Sequence, residues 1–156
     1  MQSSTVYSHT QAPRREFSRN ITQGISLIVG GALFVLALCG MLFPAFMGLH
    51  LSLMQSSIIL LAGVTLFYAG YKVNRRVAFR TCLGFGLFFG ALSATGFVFG
   101  QPGRPSVGFE RLDPYLIRII PGFQELGFVD HSVHAVLAVV LLAGAFDWYR
   151  KHPHRH

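Results

Sequence analysis

The sequence predicts an all-α fold, a four-helix transmembrane bundle, and three observations carry that expectation. The first is composition. The chain of 156 residues is 52% hydrophobic and 12% charged, where a soluble domain carries about 25% charged residues. Its mean hydropathy is positive, +0.50. The second is four apolar runs without Lys or Arg: Gly24–Phe43, Met54–Tyr71, Thr81–Gly100 and His131–Trp148. Each has the roughly 18 to 20 residues that cross a bilayer core as a helix. None alternates strictly, as a barrel strand would. The third is charge placement. Ten of the 13 Lys and Arg residues flank one side of these runs, and only Arg104, Arg111 and Arg118 flank the other. The positive-inside rule then puts both termini and the loop between spans two and three in the cytoplasm.

Residues 1–23 read as a basic cytoplasmic tail, expected to be disordered. The string RREFSRN touches a twin-arginine pattern, and the Ser-rich start has a transit-peptide flavour. The apolar run that follows is long, however, and no small-residue cleavage site closes it, so a retained tail is the better reading. Residues 24–149 form the membrane domain. Residues 150–156 form a second basic tail, where His152, His154 and His156 alternate in KHPHRH. Pairing with anionic headgroups is the plain use of such a tail.

The spans carry their own signals. Gly86 with Gly90, and Gly96 with Gly100, repeat at a spacing of four. That spacing puts each pair on one helix face, where a neighbouring backbone can approach. Intramolecular packing is the first reading and homodimerisation the second. Cys39 and Cys82 sit near opposite membrane faces, too far apart for a disulfide, whose Cα atoms lie within about 7 Å. QSSIILLAGV (Gln55–Val64) can be laid over HSVHAVLAVV (His131–Val140). That faint repeat allows two tandem helical hairpins in the same orientation.

The outer loop, residues 101–130, is the largest extramembrane piece. Asp113 followed by Pro114 predicts the capped start of a short interfacial helix over DPYLIRII. Phe109, Tyr115, Phe123 and Phe128 suit an aromatic belt beside it.

The chemistry-bearing residues gather at the outer end. Asp130 stands where the N-cap of span four belongs. His131 and His134, three apart, share a helix face. His50 lies in the first outer loop and Gln55 opens span two. All five can meet on one side of the membrane. Two readings stay open. In the structural one, Asp130 caps the helix and His134 makes a hydrogen bond within the bundle. In the functional one, the cluster is a polar site for a proton, a metal or a small polar ligand, because ionisable groups inside a membrane mark function. No cofactor is expected: a haem clamped by two histidines wants both deep on facing helices, and only His134 lies inside a span. No metal site is expected either, since zinc wants about four ligands.

The run LGFVDHSVHAVLAVVLLAG resembles the last span of a family of small four-span bacterial membrane proteins of unknown function. There an aspartate opens the helix and a histidine follows four residues on, as Asp130 and His134 do here. MLFPAFMGLHLSLMQSSIILLAGVTLFYAG resembles the family's earlier stretch, with Gln55 and Ser57 where that pattern carries an Asn and a His. The resemblance implies an integral protein of the bacterial inner membrane and no particular activity.

Two functions follow as expectations. One is a non-enzymatic accessory, assembly or oligomer-forming subunit, whose partners are the bilayer and a second copy or a larger membrane complex. The other is a small transporter or channel with an outer polar entry around His134. No nucleophile–base pair, phosphate loop or carboxylate dyad points to an enzyme. The charge of +7 is a topology signal and does not call for nucleic acid.

Overall fold

The computed structural model describes residues 21–44, 46–72, 74–106, 112–121 and 124–151. The first twenty residues, Phe109, Arg111, Phe123, His152, His154 and His156 lie outside these described residues. The described chain is mostly helical. Its four long helices are α1 (Ile21–Leu42), α2 (Leu53–Lys72), α3 (Arg75–Phe99) and α4 (Phe128–Lys151). All four are long and apolar enough to cross a membrane.

α1 packs mainly on α2 and α3 mainly on α4, so the bundle is two hairpins laid side by side. Small residues allow the first pairing. A Cβ placed on Gly30 would sit 2.8 Å from Gly63 O, and one on Gly63 would sit 2.8 Å from Phe34 N. Only glycine lets two backbones come that close. Hydrogen bonds add to the packing. Thr22 Oγ1 donates to Gly144 O at 2.8 Å, and Ser26 Oγ donates to Leu66 O at 2.7 Å. Such bonds in a bilayer are worth about 0.6–2 kcal/mol each. Cys39 and Cys82 are both free thiols, and Cys82 is buried.

The glycines of the two four-spaced pairs face within the molecule. A Cβ on Gly86 would meet Leu142 at 2.9 Å, and one on Gly90 would meet Ala138 at 3.6 Å. Gly96 faces His131, and Gly100 faces Tyr115. All four serve the fit of α3 to its own hairpin and its outer cover.

α3 starts at Arg75, six residues before the apolar run begins. The turn from α2 is therefore tight, with Asn74 capping α3 by accepting from Arg76 N at 3.2 Å. Arg75, Arg76 and Arg80 all ride on the first turns of that helix.

The outer loop departs from expectation. DPYLIRII is no interfacial helix; it is a strand. β2 (Asp113–Ile120) pairs antiparallel with β1 (Gln101–Gly103) on one side and β3 (Gln124–Leu126) on the other. The registers set Gln101 opposite Leu116, and Arg118 opposite Glu125. The segment is rich in β-branched and aromatic residues (Tyr115, Ile117, Ile119, Ile120), which favour a pleated surface. The Asp-Pro start fits a helix cap equally well, and two available partner strands decided the matter.

Candidate functional site

The polar residues at the outer end are inside the protein. His50 is 9% exposed, Gln55 4%, Asp130 1%, His131 0% and His134 7%. Buried polar groups need partners, and the partners divide the five residues into three arrangements.

Asp130 is the hub of the first. Helix α4 starts at Phe128, one turn before the apolar run suggested, and Asp130 is its third residue. It is therefore not the N-cap. Its Oδ2 reaches back to accept from Gly127 N at 2.8 Å, the reciprocal half of a capping box. The same oxygen meets His50 Nδ1 at 2.9 Å. Asp113 takes the capping position from outside, accepting from Phe128 N at 3.0 Å while also accepting from Tyr115 N at 2.8 Å. One carboxylate thus ties β2 to the start of α4, and another ties the first outer loop to it. Gly127 has no room for a side chain, because a Cβ there would meet His50 Cε1 at 2.7 Å.

His50 lies outside the spans, and its imidazole is raised above the ordinary value of 6.5. Burial pulls it down, but the hydrogen bond and charge of Asp130, with the charges of Asp113 and Glu125 beyond, outweigh burial. A pKa raised by folding gives stability that is complete below the unfolded value and is lost as pH climbs through the folded one. Thermal melts in detergent should therefore show a midpoint that falls as pH rises above the ordinary histidine value of 6.5, and His50→Gln should flatten that slope.

His131 belongs to the second arrangement. Its Nε2 donates to Tyr115 O at 2.9 Å, holding α4 to the sheet. Its ring fills the slot that Gly96 leaves open in α3, with Phe97 at its edge. His131 and His134 start from one helix face, yet they end in different environments.

His134 and Gln55 make the third. α2 and α3 meet only sparsely, and a cleft of about 500 Å³ runs between them. That is an ordinary size for a ligand pocket. From Arg80 to Leu92 its α3 wall covers about 18 Å of helix, at about 1.5 Å per residue. The walls are apolar, with Ile59, Phe85 and Phe88 among them. Arg80 and Thr81 stand at one end; Gln55, Gln124 and His134 stand at the other. The His134 ring stacks on Phe89, with centroids 5.4 Å apart. Its expected hydrogen bond is not found: His134 Nδ1 and Gln55 Oε1 are buried without a partner among the described residues.

Comparison with protein-family models, curated proteins and solved structures finds no match. The site therefore stands on its own geometry.

Several of its members escaped the sequence reading. Asp113 opens strand β2 and caps no helix of its own segment; its carboxylate serves α4. Glu125 binds Ser106 through both its backbone N and its Oγ at 2.6 Å, and pairs with Arg118 Nε at 3.3 Å, which clamps the outer cover. Phe89 and Gln124 join the cleft from segments that carried no signal beyond apolarity or a loop. Among the described residues, no three His, Cys, Asp or Glu side chains are grouped to hold a metal ion.

Proposed function

We propose that this chain is a multi-pass protein of a bacterial inner membrane, with both termini in the cytoplasm, and that it works as a non-enzymatic binding subunit. It holds a bilayer-borne molecule in the cleft between α2 and α3. The observation that carries this reading is a ligand-sized cleft with mostly apolar walls that ends at the buried polar side chains of Gln55 and His134. A ligand's polar head finds hydrogen-bonding side chains at that end, which an apolar wall does not offer. The apolar walls suit a hydrocarbon chain.

The direction of entry supports a ligand from the lipid. β3 contributes Gln124 and Leu126 over the outer end of the cleft. The sides are lined by outward-facing Leu61 and Phe88, which are 70% and 46% exposed. The same cover weighs against a polar entry from the outer water, as a channel or small transporter requires. Mid-membrane hydroxyls weigh against it too. Thr65 and Ser26 donate to the backbone carbonyls of Leu61 and Leu66 and so line no polar path.

The orientation rests on the basic residues and the bacterial membrane on the resemblance of the last span. A cysteine introduced at Ser106 should react with an impermeant reagent added outside intact cells, and one at position 3 should be protected. The reverse pattern inverts the protein. For the cleft itself, Gly84→Trp is the informative variant. A Cβ at Gly84 meets nothing within 4 Å, and the residue lines the cleft. Protein purified in nanodiscs should carry a stoichiometric small molecule, seen by native mass spectrometry. Gly84→Trp should exclude it while leaving the helix content of the purified protein unchanged. Equal loading of both proteins refutes the binding reading.

A further inference from the structure

The cleft reading above extends to the chemistry of the ligand's head, on which the following rests. Beside the outer end of the cleft lies a second, small cavity of about 10 Å³. That is room for about one water. Its wall is apolar from Leu33, Leu49 and Leu51, and polar from Gln55, Asp130 and His134. Each of those three side chains carries a buried polar atom with no partner among the described residues: Gln55 Oε1, Asp130 Oδ1 and His134 Nδ1. A water is stable in such a cavity when it finds two to four polar partners, and this one offers three.

The hydrogen count then selects a tautomer. A carboxylate oxygen and an amide oxygen only accept. A water has two hydrogens and two lone pairs. It satisfies all three neighbours by donating to Asp130 Oδ1 and Gln55 Oε1 and accepting from His134 Nδ1–H. Were Nδ1 also an acceptor, three acceptors would compete for two hydrogens. The charge of Asp130 on the same cavity favours the same choice. A neutral imidazole protonated at Nδ1 has its lone pair on Nε2. His134 lines both the small cavity and the cleft. With Nδ1 given to the water of the first, Nε2 is the ring nitrogen left for the second.

We infer that the small cavity holds one water bridging Asp130, Gln55 and His134, and that the cleft takes a molecule with a neutral hydroxyl head that donates to His134 Nε2. The class is an alcohol or phenol on an apolar chain. An anionic head at this end would approach the Asp130 carboxylate, which lines the small cavity together with His134. A purely accepting head, such as an ether, would put lone pair against lone pair. The aromatic flank of Phe85, Phe88 and Phe89 accommodates a phenol ring as readily as an alkyl chain.

Two measurements test this. The first needs no substitution. ¹⁵N spectra of histidine-labelled protein in nanodiscs should show His134 as the Nδ1–H tautomer; an Nε2–H signal overturns the inference. The second compares dodecanol with dodecyl methyl ether, counting bound molecules by native mass spectrometry. Dodecanol should bind one per chain, about tenfold more tightly than the ether, the effect of one lost hydrogen bond. His134→Phe keeps a ring against Phe89 and should remove the difference. If both compounds bind equally and Gly84→Trp displaces both, the cleft reading stands and the hydroxyl inference falls. If neither binds, both fall.

Discussion

Asp130→Ala should cost about 2–6 kcal/mol, about 1–3 for each of two buried donors that lose their acceptor, and not the roughly 1 kcal/mol of a lost helix cap. Oδ2 of this residue is the acceptor for His50 Nδ1 and for Gly127 N. Both donors are buried, and alanine leaves both without it. The first outer loop would lose its tie to α4, and the start of α4 would lose the reciprocal half of its cap. Asp130→Asn should be milder, because one side-chain oxygen remains to accept. Chemical unfolding in detergent, with helix content followed by circular dichroism, would separate these outcomes. An alanine variant within about 1 kcal/mol of the parent would reduce the residue to an ordinary cap.

The second large effect is expected at Gly96. Any side chain there runs into the imidazole of His131. That ring is fully buried and is held by Tyr115 O, so it cannot swing aside without giving up its hydrogen bond. Gly96→Leu should cost about 1–3 kcal/mol through overpacking, and about 1 kcal/mol more for the lost bond. It should also loosen the outer sheet, seen as faster amide exchange in β2. Gly90→Ala is the control. Its Cβ would meet Ala138 at 3.6 Å, ordinary van der Waals contact, so its stability should stay close to the parent's. If Gly96→Leu proved as mild as Gly90→Ala, the slot for His131 would not be a constraint.

The two glycines look alike in the sequence. GLFFG and GFVFG have the same spacing and the same neighbours in type, and both belong to the face of α3 that meets α4. What separates Gly90 from Gly96 is the partner residue on α4, small Ala138 in one case and a histidine in the other. A spacing rule reports which face a residue lies on. It says nothing of what the opposite helix presents there.

The same division runs through the candidate site. Asp130, His131, His134, His50 and Gln55 were all visible in the sequence, because polar residues are rare in so apolar a chain and each one stands out. Their roles were not. Asp130 was placed one helical turn wrong, since Gly127-Phe128-Val129 carries no start signal until Asp130 Oδ2 accepts from Gly127 N. The strand at Asp113–Ile120 was equally hidden, because Asp-Pro opens a helix or a strand with equal ease.

By itself, then, the sequence determined that the chain has four apolar helices long enough to cross a membrane and roughly where along it they lie. Each of these is a sum over many residues or a local period, and a bilayer reads them in that form. The tertiary structure alone decided that α2 and α3 stand apart to leave a cleft, that His131 and His134 part company, and that Asp113 serves α4. Those outcomes depend on single contacts between residues distant in the chain, where a methyl group more or less changes the partner. Periodicity carries no record of them.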